Sequence, residues 1–207
     1  MIINTKCGTK CHISDGNKKL GSIPAFNLPP IKACAPQACQ FCGKDCYAMK
    51  DYRLKRKNVI TAHADNLELV LEHLPELEQA LDWFFNNPNA PRFFRLHSAG
   101  DFVTLEYAQM WFRIIKNHPG TNFLIFSKHW DHVRQVPFHQ LENCRLYLSD
   151  WPGMVIPEDL KQIYNIAWMN DGTRPEQLFQ GSKGCPGNCS NCFGCWLAPG
   201  DVTFNKH

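Results

Sequence analysis

Phe93-Phe94-Arg95-Leu96, then Leu105, Ala108, Phe112 and Ile115 at helical spacing, then Phe123-Leu124-Ile125-Phe126, is the stretch from which the architecture follows. The outer two segments are short continuous apolar runs, as expected of strands covered on both faces. Between them the apolar residues fall on one helical face, with Thr104 placed as the N-cap. A strand, a crossing helix and a second strand at this spacing form a parallel βαβ unit with a right-handed crossover. The pattern continues downstream. A short helix is predicted near 131–136 and a third strand at Arg145-Leu146-Tyr147-Leu148. Residues 158–162 read as helix, and Tyr164-Asn165-Ile166-Ala167-Trp168 as a fourth strand.

Upstream, residues 58–85 read as one long helical stretch, with Leu67, Val70, Leu71, Leu74, Leu77 and Leu81 near 3–4 spacing. Pro75 restarts or kinks it, because proline lacks a helical donor but is tolerated in a first turn. Residues 1–33 carry no long periodic segment. Ser14-Asp15-Gly16-Asn17 is a turn signal, and Ile23 to Leu28 reads as a short strand stopped by Pro29-Pro30. That makes about five strands, too few for a closed eight-stranded barrel. The expected fold is α/β, a partial or open parallel (βα) barrel in a single domain over 1–207. Within it, 1–57 and 181–207 are cysteine-rich segments and 58–180 the βα core.

The 207 residues, 44% hydrophobic and 20% charged, suit a globular domain and exclude a disordered chain. No run of roughly 20 apolar residues is present, so no membrane span is expected. The start, Met1-Ile2-Ile3-Asn4-Thr5-Lys6-Cys7, lacks the basic and apolar regions of a secretory signal. A net charge of +3 does not by itself call for a nucleic-acid partner.

Cysteine usage carries the chemistry. Of eleven cysteines, ten lie in three tight groups and Cys144 stands alone, reading as a small buried hydrophobe. A disulfide framework fits poorly, since the count is odd, no export signal is visible and the chain can bury a core without staples. Cys34, Cys39, Cys42 and Cys46 form one loop of thiols; Cys185, Cys189, Cys192 and Cys195 form another. Thiolates select zinc, copper(I) or iron–sulfur clusters. Structural zinc uses two spaced pairs, whereas four ligands within about a dozen residues resemble ferredoxin runs. Phe41, Tyr47, Phe193 and Trp196 are candidates to shield such clusters from water. Two 4Fe-4S clusters are expected, with Cys7 and Cys11 allowing a third by ligand count and zinc as the alternative metal.

Ligands of parallel α/β folds bind beyond the C-terminal strand ends. Here those ends are His97-Ser98-Ala99-Gly100-Asp101, Ser127-Lys128, Ser149-Asp150 and Asn170-Asp171. His97, Asp101 and Lys128 are the candidate catalytic residues, Asp101 having the capping of the next helix as its alternative role. Ser98, Gly100, Asp150 and Asn170 are the candidate cofactor contacts. Both cysteine loops are expected over this same mouth, the first after the strand near residue 25 and the second after the last strand.

Asp15-Gly16-Asn17-Lys18-Lys19-Leu20, Phe26-Asn27-Leu28-Pro29, Cys42-x-x-x-Cys46-Tyr47-Ala48 and Arg95 to Phe102 are together similar to the phage gene product 88 family. The matched order covers most of the chain, although that family is little characterised. More distantly the layout resembles radical S-adenosylmethionine (SAM) enzymes. That resemblance implies an open iron held by three cysteines after the first strand. It also implies that Ser98-Ala99-Gly100-Asp101 holds the amino group of the cofactor methionine. The usual spacing there is three then two residues; Cys39, Cys42 and Cys46 show two then three, or a longer gap if Cys34 is the ligand, and an open iron follows if only Cys34, Cys42 and Cys46 bind. The expected spacing occurs at Cys185, Cys189 and Cys192, where Cys195 supplies a fourth ligand and closes the site to SAM.

Lys50, Arg53, Lys55, Arg56 and Lys57 form a basic run read as a solvated helix start, as compensation for an anionic cluster, or as a phosphate contact. His129 and His132 are taken as surface or core residues, and Trp83, Phe84 and Phe85 as core. The functional expectation is an iron–sulfur protein with a radical-SAM-like site, acting on a small molecule or with a redox partner in the cytoplasm, the host's if phage-encoded. The alternatives are a non-catalytic electron-transfer protein and a zinc-stabilised nucleic-acid binder.

Overall fold

The computed structural model describes residues 1–205. In chain order the elements are β1 (Ile2–Asn4), β2 (Lys10–Ser14), β3 (Ala25–Phe26), α1 (Pro36–Cys42), α2 (Met49–Arg53), α3 (Lys57–Glu72), α4 (Leu74–Phe85) and β4 (Phe93–Leu96). They continue with α5 (Leu105–Asn117), β5 (Asn122–Ser127), α6 (Trp130–Gln135), β6 (Cys144–Asp150), α7 (Glu158–Lys161), β7 (Asn165–Asn170), β8 (Lys183–Gly184), α8 (Cys189–Cys192), α9 (Gly194–Leu197) and β9 (Val202–Asn205).

One nine-stranded sheet runs in the order β1-β2-β3-β4-β5-β6-β7-β9-β8. β3 to β9 pair in parallel, while β1 and β2 add an antiparallel hairpin at one edge. The sheet is open, with β1 and β8 at its edges, so the fold is mixed α/β with a mostly parallel sheet. The strands read from apolar runs and the crossing helix capped by Thr104 are present, Thr104 Oγ accepting from Tyr107 N at 3.2 Å.

Pro75 restarts the 58–85 helical stretch as expected: His73 leaves helical geometry at φ −137° and Pro75 sits in the first turn of α4. Other expectations need correction. The strand expected over 23–28 pairs for two residues only, since Pro24 and Pro29-Pro30 flank it. β1, β2, β8 and β9 carry no apolar run long enough to stand out in the sequence. The β1–β2 hairpin is instead clamped from α3. Asn66, 1% exposed, donates to the carbonyls of His12 and Asn27 at 2.9 Å and accepts from His12 N at 2.8 Å.

Alternation along the strands divides the side chains between two faces. Phe26, Phe94 and Phe123 meet Phe85 of α4 and Trp111 of α5 on one face, with Phe85 edge-on to both Phe94 and Phe123 at 5.0 Å. Each such aromatic pair adds about 0.5–1.5 kcal/mol beyond its buried area. The other face presents Ala25, Phe93, Leu124, Phe126, Tyr147, Ala167 and Val202, and among the described residues no long helix covers it. The C-terminal cysteine segment does so instead.

Candidate cofactor site

The first cysteine group is strapped to the end of β4. Asn27 Oδ1 accepts from Ser98 N at 2.8 Å and Ala99 N at 3.2 Å, and Leu28 N donates to Ala99 O at 3.0 Å. Asp101 N then donates to Ala33 O at 2.9 Å, immediately before Cys34. The crossing is tight enough to demand glycine: a Cβ on Gly100, at φ +82°, would lie 2.6 Å from Leu28 Cβ. α1 follows, presenting Cys39 and Cys42, and the Tyr47 hydroxyl donates to the Ser98 carbonyl.

These thiols share one electrostatic environment. Burial, followed by the charge of Asp101, pushes the Cys34 thiol up to about 12. Cys39 and Cys42 are also raised, by burial first, with the positive charge of Lys128 opposing the shift at both. Cys34 acts on Cys39, and Cys46 acts on Cys34, Cys39 and Cys42.

The second group leaves the C-terminal end of β8 at Cys185, whose N donates to Thr203 O at 2.9 Å. It does not stay over the strand ends as the sequence reading expected. Residues 189–196 fold back across the free face of the sheet, drawn there by Trp196, which is 2% exposed, and by Phe193 against Phe93 at 4.6 Å. Trp196 Nε1 donates to Phe94 O at 3.4 Å, and Tyr147 OH to Cys195 O at 3.4 Å. Cys185, Cys189, Cys192 and Cys195 line one cavity of about 60 Å³ with Tyr147, Phe193 and Trp196. Burial pushes the Cys195 thiol up to about 11 and raises Cys189. Trp196 is buried and Phe193 half-buried beside the second group, whereas Phe41 and Tyr47 at the first group are exposed.

The candidate pocket residues divide. Asp101, 4% exposed, accepts from Ser127 Oγ and Phe102 N through Oδ1, and from Lys128 N through Oδ2. It thus joins β4 to β5 rather than capping α5. Lys128 lies near the first thiols and also near Asp150, whose carboxylate pairs with Arg174 at 2.5 Å. Burial raises the Asp150 pKa and Arg174 opposes that shift. Ser98 and Gly100 lie in the strap itself. His97 turns away from them. At φ 61° its ring enters the helix-covered face, its Nε2 2.8 Å from the Tyr107 hydroxyl. Burial, then Arg95, pushes its pKa down to about 3, so the imidazole is neutral at ordinary pH. Asn170 accepts from Gly172 N at 2.9 Å in the turn after β7.

Arg95 was missed by sequence reasoning because it sits inside an apolar strand. Arg174, the partner of Asp150, follows no motif. The basic run is exposed, Arg56 pairing with Asp51 at 2.8 Å. His129 and His132 stack at 3.6 Å. Cys11 and Cys144 are buried core residues, and all eleven cysteines are free thiols. Among the described residues, no three His, Cys, Asp or Glu side chains close on one point as a single metal ion requires. None of the described helices is long and apolar enough to cross a membrane.

The family model for gene product 88 matches residues 4–196. The Gene 88 protein of Mycobacterium phage L5 is 29% identical over 149 residues, 68% of this chain and 62% of its own length. The Gene 88 protein of Mycobacterium phage D29 is 28% identical over the same shares. This chain thus spans under two thirds of these relatives. No solved structure matches.

Proposed function

This chain belongs to the gene product 88 family, and on that premise we propose that it is an iron–sulfur protein. Cys34, Cys39, Cys42 and Cys46 would hold one 4Fe-4S cluster, and Cys185, Cys189, Cys192 and Cys195 a second. The observation that carries this reading is the single cavity lined by Cys185, Cys189, Cys192 and Cys195, with four more thiols gathered on and beside α1 at the first group. The donor set is all sulfur, which suits iron–sulfur chemistry, and the aromatic wall of Tyr147, Phe193 and Trp196 suits a shielded redox centre. A bound cluster supplies one-electron transfer. The protein's own part is to hold the thiols, exclude water and place charge beside them.

A catalytic role belongs to the first group in this proposal. Its support is the strap that binds residues 98–101 to the segment entering Cys34. In this branch only Cys34, Cys42 and Cys46 would ligate the first cluster, with Cys39 off the iron, and Ser98 and Gly100 would adjoin a SAM bound at the open iron. Lys128 would offset negative charge at Cys39 and Cys42, and Asp101 would fix the Lys128 backbone. His97 acts in this scheme by supporting Tyr107 rather than by moving protons to substrate. A small-molecule substrate or a redox protein is the partner the chemistry calls for. The compartment it calls for is the reducing cytoplasm of a phage-infected host.

Anaerobic purification with iron, sulfide and zinc counts and a visible spectrum tests the reading. A brown protein with about eight iron and eight sulfide per chain is expected for two such clusters. A change in the electron-paramagnetic spectrum of the reduced protein on adding SAM marks the catalytic branch. Its absence with full clusters leaves the electron-transfer reading, and a colourless protein retaining zinc overturns both.

A further inference from the structure

The free face of the sheet holds a cation with no carboxylate to match it. Arg95 points there from the middle of β4 and stacks on Phe126 at 4.1 Å. Its Nε and Nη2 donate to His97 O at 3.2 and 3.1 Å. Among the described residues it forms no ion pair. The carboxylate whose field reaches it, Asp101, is already engaged with Ser127, Phe102 and Lys128. Lys19 is held in the same manner, its Nζ 4.2 Å from the Phe204 ring centroid. Phe204 meets Phe126 edge-on at 5.5 Å, so the two cations stand on one aromatic rack. Lys19 is tied directly to the second thiol group, its carbonyl accepting from Cys189 N at 2.8 Å.

A half-buried guanidinium without a counter-charge is costly to maintain. The second cysteine group packs on the same face, Cys185, Cys189 and Cys195 lying in the cluster that also holds Phe126 and Phe204. The positive charges of Lys19 and Arg95 act on Cys189, and that of Arg95 on Cys195. Four thiolates around a metal centre are net anionic and supply the missing charge.

We propose that Arg95 and Lys19 are the built-in counter-ions of an anionic tetrathiolate metal centre held by Cys185, Cys189, Cys192 and Cys195. They strengthen its binding and set its reduction potential upward. This rests on the metal-binding reading of that group but not on the identity of the metal. Reduction adds one electron to the centre, and a fixed cation nearby stabilises the more negative state. Both residues act through the centre and are positioning residues.

The test compares R95Q, R95K and K19Q in the full-length protein. In a dithionite titration of the cluster-loaded protein, R95Q and K19Q are expected to lower the midpoint potential of one cluster, with R95K close to the parent. Cobalt(II) titration of metal-free protein, followed by its thiolate absorption, gives a second measure. There R95Q should weaken affinity about ten-fold, within the range for losing an outer partner. Equal losses in R95K and R95Q would mean that Arg95 serves packing alone and would overturn the proposal. So would an unchanged potential and cobalt affinity in R95Q. A parent protein lacking iron and sulfide sinks the cluster reading by itself, and the cobalt comparison still decides the counter-ion proposal.

Discussion

The Ser127 hydroxyl donates to Asp101 Oδ1 at 2.7 Å with both side chains buried, so the ends of β4 and β5 are joined by one carboxylate. The same carboxylate takes Phe102 N at 2.8 Å and Lys128 N at 2.7 Å. Asp101→Ala strands a buried hydroxyl and two backbone donors. A loss of about 3 kcal/mol in folding free energy is expected, from desolvated groups left without partners. Urea denaturation measures it, and a loss under about 0.5 kcal/mol, the range of an ordinary surface change, would show that the junction is not structural.

Gly100 carries the crossing of the strap over Leu28. Gly100→Ala places a methyl 2.6 Å from Leu28 Cβ at φ +82°. Destabilisation of about 2 kcal/mol is expected from clash and left-handed strain together. If the strap also positions Cys34, metal content of the first group falls while the second keeps its own. Normal metal content and stability in this variant would separate the strap from the cysteine loop.

His97 makes stability depend on pH. Its folded pKa of about 3 lies below the ordinary 6.5, so the unfolded chain binds the proton more readily between those values. The contribution of the neutral imidazole is fully present above pH 6.5 and is lost as pH falls toward 3. The full window is worth on the order of 5 kcal/mol. His63, pushed down to about 4 by burial, adds a smaller loss of the same sign. His97→Gln should flatten the acid limb of a stability–pH curve, and an unaltered limb would reassign that dependence to other groups.

Metal loading and folding should move together at the second group. Cys189→Ala or Cys192→Ala is expected to lower soluble yield and metal content in parallel, because binding energy at such a site is folding energy. Removing metal with a chelator should lower the melting temperature of the parent protein for the same reason. Full metal content and unchanged melting in either variant would remove that group from the ligand set.

Apolar runs made the central strands readable, because β4 to β7 are covered on both faces and must be uniformly hydrophobic. The same logic hid β1, β2, β8 and β9. Lys10 to Ser14 mixes exposed and buried positions, and Lys183-Gly184 is exposed and earns its place only by pairing with Val202 and Thr203. The two thiol groups were legible from spacing alone. The orientation of the second was not, because it depends on Trp196 finding a sheet face left free by α4 and α5. His97 was read as pocket-facing because it follows a strand, and its positive φ turned the ring inward instead. Arg95 was hidden by its apolar neighbours, since a charge in a buried strand gains meaning only when the opposite surface is known.

β9 lies between β7 and β8 although it is the last strand in the chain. The second cysteine segment is the connection that leaves β8 and returns as β9, so it works as a clasp that lets the final strand slot into a gap. Were the clasp to open, β7 would be left with one side of its backbone unpaired over Ala167 to Asn170. An uncovered parallel edge of this kind recruits strands from other molecules. The fit of one short segment therefore decides whether the sheet presents a closed or a sticky edge.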